Sequence, residues 1–316
     1  MRKPNSADAE EITAKTRYRA QKSPIYRPQY DGKSTPCESN SATPPNSGII
    51  SDSRGTISAE QGNSSGIFCG PGLHRREVTL VHSSDLHVDE DRAAAACGDG
   101  TAGLHSVLAT ARALRAHLVL LAGDTFESNQ LSASVLEHAL RLFAQAGLPV
   151  VILPGNHDPA LSDSVFVRSG LAHLANVSVL GVTHDEAVLF PEYDLEIWGH
   201  AHRDYFSMAP LRGPRPRSTR WQVALAHGHY EPPETRANPL RPSWVFSDDD
   251  IAATAADYLA LGHWDRPMPV GNGAVPAYYS GSPALAGTVN LIRLTASGEV
   301  VVTRERLLRD PDPALP

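Results

Sequence analysis

The chain has 316 residues, 41% of them hydrophobic and 20% charged, enough to bury a sizeable core in one or two domains. Its formal charge of -7 divides unevenly, with 11 Lys and Arg against 7 Asp and Glu in residues 1–76 and 17 against 28 in residues 77–316. All four lysines lie in the first segment, so the acidic remainder is excluded from broad electrostatic capture of nucleic acid unless metals and an arginine cluster reverse the field locally.

Residues 1–76 are rich in Ser, Asn, Pro, Gly and Thr and show no apolar period of 2 or 3.6. They read as a disordered low-complexity tail, with an interaction arm or appended upstream sequence as the other accounts, and residues 77–316 as the folded domain. Cys37, Cys69 and Cys97 stand far apart without a CxxC pair, which argues against a disulfide scaffold or thiolate zinc and for a reducing compartment. No apolar run reaches the roughly 18 residues of a membrane span and no apolar stretch marks a signal peptide, so a cytoplasmic protein is expected.

In chain order, strands are expected at Val78–His82, Leu118–Leu121, Pro149–Leu153, Val177–Leu180, Leu195–Trp198, Val223–Ala226 and Tyr258–Leu261. Helices are expected at Ala102–Ala116 and Leu131–Ala146, and a third opens at Ser247-Asp248-Asp249-Asp250 with a cap and an acidic first turn. Val289–Leu294 and Val300–Leu307 across Ser297-Gly298 read as a closing hairpin. Short apolar strands alternating with helices give an α/β class.

Several of these strands end in the same chemistry. The first delivers Asp85 and His87, the second Asp124, the third Asn156, His157 and Asp158, and later strands deliver His227 and then His263 with Asp265. In α/β sheets the crevice outside the carboxyl ends of strands is where sites assemble. Asp, His and Asn without Cys suit hard or borderline divalent ions. Gly123, Gly155 and Gly262 directly precede their ligands, where a strand must turn sharply.

Asp85-x-His87, Gly123-Asp124, Gly155-Asn156-His157-Asp158, His227-Gly228 and Gly262-His263 resemble, in order and spacing, the motifs of the calcineurin-like metallophosphoesterases. Asp257 to His263 followed by Tyr279-Ser280-Gly281-Ser282-Pro283 looks most like the DNA-repair exonuclease branch, that of the bacterial SbcD nucleases. The resemblance implies a four-layer α/β/β/α sandwich with a dinuclear metal site at strand ends, residues 77–316 forming the catalytic domain. It further implies that Asp85 and His87 bind one metal, Asp124 bridges both, and Asn156, His227 and His263 bind the second. Asp265 stands where the family usually has a second His as the last ligand. His157 would stay off the metals and face the scissile phosphate, and Glu127 resembles the position that orients this histidine. Gly199-His200-Ala201-His202 spells the final motif literally, but that placement would leave His173 or His184 as the earlier ligand, neither at the end of an apolar strand.

The implied reaction is attack of a metal-bridging hydroxide on a phosphodiester, with two divalent ions, Mn2+ or alternatively Fe2+ or Mg2+. His157 is the expected proton donor to the leaving group. For substrate, Arg212 to Arg220 gathers four arginines in nine residues, of which Arg215 and Arg217, together with His229, are candidate contacts. The expected partner is a phosphate ester, DNA or nucleotides, with no membrane and no partner protein. A phosphomonoesterase of small compounds and a non-catalytic, metal-depleted binding module are the alternatives.

Overall fold

Period-two alternation within buried strands decides how the layers of this protein stack. The computed structural model describes residues 76–89, 100–205, 208–232 and 244–308. The tail expected over residues 1–76 therefore lies, but for its last residue, outside the described residues, as do all three cysteines. In chain order the first half carries β1 (Val78–Ser83), α1 (Ala102–Ala113), β2 (Leu118–Ala122), α2 (Ala133–Ala144), β3 (Val150–Leu153), the one-turn α3 (Val165–Arg168) and β4 (Val177–Val179). There follow β5 (Ala187–Phe190), β6 (Leu195–Gly199), β7 (Trp221–His227), β8 (His229–Tyr230), β9 (Val245–Phe246), α4 (Asp248–Ala253), β10 (Tyr258–Gly262), β11 (Met268–Val270), β12 (Ala277–Tyr279), α5 (Pro283–Ala286), β13 (Thr288–Leu294) and β14 (Val300–Arg306).

Two six-stranded sheets result, ordered β14-β13-β1-β2-β3-β4 and β11-β12-β10-β7-β6-β5. Within the first, β1 to β4 run parallel; within the second, β6, β7, β10 and β12 do. A strand buried on both faces sends alternate side chains to different cores. Val81, Val119, Leu121, Val150 and Ile152 face a core built with Leu104 and Leu108 of α1 and Leu136 and Phe143 of α2. Their neighbours Leu80, Leu118, Leu120, Val151 and Leu153 face Ile197, Val223, Leu225 and Ala260 of the other sheet. That second sheet in turn sends Ala224, Ala226, Leu259 and Leu261 outward to Phe246 of β9 and Ile251 of α4. Three cores separate four layers, α/β/β/α, as the resemblance implied. Each fully buried Leu or Val in them contributes about 1.5–3 kcal/mol.

Boundaries move for local reasons. Helix α1 stops three residues early because Arg115 takes a left-handed conformation at φ 52° and Ala116 N–H donates to Ala111 O at 2.9 Å, a helix-ending turn. Ser247 caps α4 as the sequence indicates: its side chain accepts from Asp250 N–H and the Asp250 carboxylate accepts from Ser247 N–H.

Candidate metal centre

Parallel pairing sets the carboxyl ends of β1, β2 and β3 side by side in one sheet and those of β7 and β10 in the other, with Gly262 opposite His227 in register. Just beyond those ends the backbone is strained. Asp85, His87, Asp124 and His263 have φ of 54°, 48°, 50° and 105° and so make up four of the seven non-glycine residues with positive φ among the described residues. Each such residue costs on the order of 1–3 kcal/mol, so clustering at expected ligands marks a functional constraint. The turns are held by one another: Asp85 N–H donates to Gly123 O at 3.0 Å and His87 N–H to Asp124 O at 3.1 Å. Asp158, wholly buried, accepts Gly155 N–H at 2.7 Å and Phe126 N–H at 3.0 Å, which fixes the turn that presents Asn156 and His157.

Two groups of donor atoms converge here, each with its atoms within 4.8 Å of one another: Asp85, Asp124 and His227, and His87, Asp124 and His157. Asp124 belongs to both. Its Oδ2 lies 3.1 Å from His227 Nε2, and its Oδ1 accepts His157 N–H at 2.9 Å. His227 Nδ1–H donates to Ala122 O at 2.9 Å, which leaves Nε2 facing Asp124 and, at 3.0 Å, Asn156 Oδ1. That second-side hydrogen bond is how metal-ligating imidazoles are oriented. Ser84 Oγ–H donates to Asp85 Oδ2 at 2.5 Å and contacts Ser280 Oγ at 2.8 Å, while His263 N–H donates to the Asp85 carboxylate at 3.0 Å.

The electrostatics ask for a cation. Burial pushes the Asp85 carboxyl up, and the charge of Asp124 adds to it; Asp124, although buried, is held well below the usual range by His227, His157 and His87. Burial opposes charge on His227, yet the carboxylates of Asp124 and Asp85 raise it to about 9. His263 goes the other way, lowered to about 3 by burial and by the charge of His227. Oxygen and imidazole donors without thiolate fit hard or borderline divalent ions. Close packing keeps them in place. A Cβ added at Gly123 would sit 2.0 Å from His227 Nδ1, and one at Gly155 would sit 2.2 Å from Asp124 Oδ1.

The remaining expected residues fall differently. His263 packs its ring 5.4 Å from that of His227 but lies in neither donor group. Asp265, expected as the last ligand, is exposed and also lies in neither, its backbone carbonyl accepting Ser282 N–H at 3.1 Å. Glu127 places its carboxylate 2.9 Å from His87 Nδ1 and 3.6 Å from His157 Nδ1, while its backbone carbonyl accepts from His157 Nδ1–H at 3.0 Å. His229 Nδ1 accepts from Trp264 Nε1–H at 3.2 Å. His202 is buried, bonds His227 O through Nε2 at 2.8 Å, and is lowered to about 4 by burial; His200 pairs with Glu186. Neither lies in a donor group.

Arg215 and Arg217 do not form the basic lip expected of them. Arg215 is bound to the wholly buried carboxylate of Glu196, and Arg217 to Asp257 at 2.6 Å and Ala255 O at 2.8 Å. Glu196 pairs with Gln222, and Asp257 accepts Gln222 N–H, so both carboxylates sit where β6, β7 and β10 begin, at the opposite edge of the sheet from His227 and Gly262. The buried Glu196 and the partly buried Asp257 thus hold these two guanidinium groups in ion pairs at the strand starts.

Sequence reasoning missed Ser84 and Tyr279 as parts of the site. Tyr279 Oη–H donates to Gly228 O at 2.7 Å and accepts Tyr230 N–H at 2.9 Å, bracing the turn after His227. The usable signal for Ser84 was a polar pair, Ser83-Ser84, closing an apolar strand just before Asp85.

A match to the calcineurin-like phosphoesterase family spans residues 78–267. No curated protein matches the chain in sequence. One solved crystal structure is 13% identical, covering 74% of this chain and 100% of its own, at a TM-score of 0.48. The crystal structure of TT1561 of Thermus thermophilus is 12% identical, covering 72% of this chain and 99% of its own, at 0.46.

Proposed function

The chain belongs to the calcineurin-like phosphoesterase family, and from that premise we propose that it is a phosphodiesterase of the exonuclease-like branch acting on nucleic-acid ends or nucleotides. Metal-dependent hydrolysis of a phosphoester follows from the family and the donor groups. The diester class, the metal and the role of each residue are our reading.

The observation that carries it is the double membership of Asp124 in two donor groups. Asp85 and His87 would hold one ion, Asn156, His227 and His263 the other, with Asp124 shared. This division follows the family resemblance, whereas the two donor groups join Asp85 to His227 and His87 to His157, so it is Asp124 alone that they place between two positions. Held by these residues, two divalent ions, Mn2+ in our reading, would supply Lewis-acid activation of water and offset charge on the phosphoryl oxygens. His157 then gives a proton to the leaving oxygen. The Glu127 carbonyl takes Nδ1–H, so Nε2 is the nitrogen left for the substrate. Glu127 steadies both His87 and His157 by its carboxylate. The exonuclease-like branch is supported by the wiring of Tyr279 and Ser280, from the second motif, to the turn after His227 and to Ser84 beside Asp85.

The test is Mn2+-dependent hydrolysis of bis-p-nitrophenyl phosphate beside p-nitrophenyl phosphate, followed by end-labelled single- and double-stranded DNA. Preference for the diester and stepwise shortening of the DNA are expected. Preference for the monoester with intact DNA would overturn the reading.

A further inference from the structure

The loop leaving β6 touches the metal centre at one residue and lines a cleft at others. His202 bonds the carbonyl of His227, while His200 and Ala201 line an open cleft of ≈ 510 Å³ with Glu186, Arg203 and Arg212. A second hollow of ≈ 580 Å³ shares Glu186 and Arg203 with it and adds His184, Asp185 and the Glu196-bound Arg215.

Three features point to an anion. Arg203 and Arg212 line the cleft with no carboxylate paired to either among the described residues, whereas Arg215 and Arg217 are bound to Glu196 and Asp257. The one acid that lines the cleft, Glu186, is engaged: His200 Nδ1 lies 3.0 Å from its Oε1. That contact orients the imidazole, whose side chain is 18% exposed and whose Nε2 is buried without a hydrogen-bond partner. A protein whose residues 77–316 carry 28 acidic against 17 basic side chains thus keeps two guanidinium groups and an oriented imidazole together beside its metal centre. Guanidinium forks match phosphate oxygens bidentately.

We propose that this cleft is an anion subsite that takes a second phosphate group of the substrate, while the metal centre works on the first. The proposal rests on the phosphodiester reading for its substrate, and on Arg203 and Arg212 for its binding, with His200 holding Glu186.

Binding is tested first, by titrating inorganic phosphate into the full chain and into its Asp124→Asn variant by calorimetry. Both are expected to bind phosphate in the cleft, and the double substitution Arg203→Ala/Arg212→Ala is expected to weaken that binding at least tenfold in each. Arg203→Glu alone should do the same, which guards against a folding defect in the double variant. Phosphate binding that survives these changes, or that disappears in Asp124→Asn alone, overturns the subsite. Kinetics come second. The double variant is expected to raise KM for a 5′-phosphorylated dinucleotide about tenfold more than for the same dinucleotide without that phosphate. A nucleoside diphosphate run in parallel tells a free nucleotide from a strand, since the excess in KM appears for the substrate that seats its second phosphate here. No excess for either substrate overturns the proposal. Failure of the phosphodiester reading looks different: no diester is hydrolysed by the unaltered protein while phosphate binding stays sensitive to Arg203.

Discussion

Asp124 and His227 meet from two different sheets, Oδ2 to Nε2 at 3.1 Å, and the imidazole is locked from behind by Ala122 O, two residues before Asp124. One strand end thus supplies both a donor atom and the orientation of another donor. Deleting the His227 imidazole leaves the Asp124 and Asp85 carboxylates buried at 2% exposure without their imidazole partner. His227→Ala should therefore lose one equivalent of bound metal and all but a trace of turnover, read by elemental analysis and bis-p-nitrophenyl phosphate hydrolysis.

His263 and Asp265 should separate in the same assay. His263→Ala is expected to lose metal, because it removes the imidazole assigned to the second ion, whose ring packs 5.4 Å from that of His227; the backbone N–H that holds Asp85 is kept. Asp265→Ala, at an exposed carboxylate outside both donor groups, is expected to keep two equivalents. Loss of metal in Asp265→Ala alone would restore it as the final ligand.

Gly123→Ala should be among the most damaging single substitutions in the protein. It adds a methyl group 2.0 Å from His227 Nδ1 at φ 93°, so strain and overpacking together cost about 2–5 kcal/mol. Gly147→Ala has the strain at φ 70° without a contact within 4 Å and should cost about 1–2 kcal/mol. Urea denaturation midpoints of the two variants give the comparison. Equal losses would show that the glycine cradle does not constrain the centre.

Arg215→Ala should change stability and leave KM alone. It unpairs Glu196, which is wholly buried, and should cost about 1–3 kcal/mol near neutral pH. Burial pushes Glu196 up, but hydrogen bonds from Arg215, Gln222 and Ser218 bring its carboxyl below the ordinary value. A depressed carboxylate stabilises the fold above its unfolded pKa and loses that contribution as pH falls through the folded one. The gap in melting temperature between Arg215→Ala and the unaltered chain should therefore narrow as pH drops below the usual carboxylate range. A gap constant down to strong acid would remove Glu196 from the account.

His157→Ala separates proton transfer from metal binding. Loss of a general acid lowers kcat by roughly 10²–10⁴. The defect should be large for a nucleoside leaving group and small for p-nitrophenolate, with both metal equivalents kept. Loss of an equivalent would instead make His157 a ligand, a role open to it through the donor group it shares with His87 and Asp124.

Much of the centre was legible in sequence because a strand end fixes where a short side chain goes. Asp85, His87, Asp124, Asn156 and His227 each follow an apolar run, and parallel pairing brings such ends together whatever the intervening loops do. Short strands with little apolar signal, such as Met268–Val270 and Ala277–Tyr279, were not legible, since they form only by adding to an existing edge. The arginine insertion misled for a related reason. A charge run shows that guanidinium groups are near one another, but not that Glu196 and Asp257 wait at the start of neighbouring strands to pair with them. Arg212, the first residue of that same run, lines the cleft instead together with Arg203 upstream of it, and only the fold tells the members of the run apart.

The central claim is that Asp124 is shared between two metal ions, and the most direct measurement is the Mn2+ content per chain of Asp124→Asn beside the unaltered protein after reconstitution and desalting. Two equivalents in the unaltered protein and fewer than one in the variant are expected, because removing a shared carboxylate weakens both positions. One equivalent in the unaltered protein, or two retained in Asp124→Asn, would contradict the account.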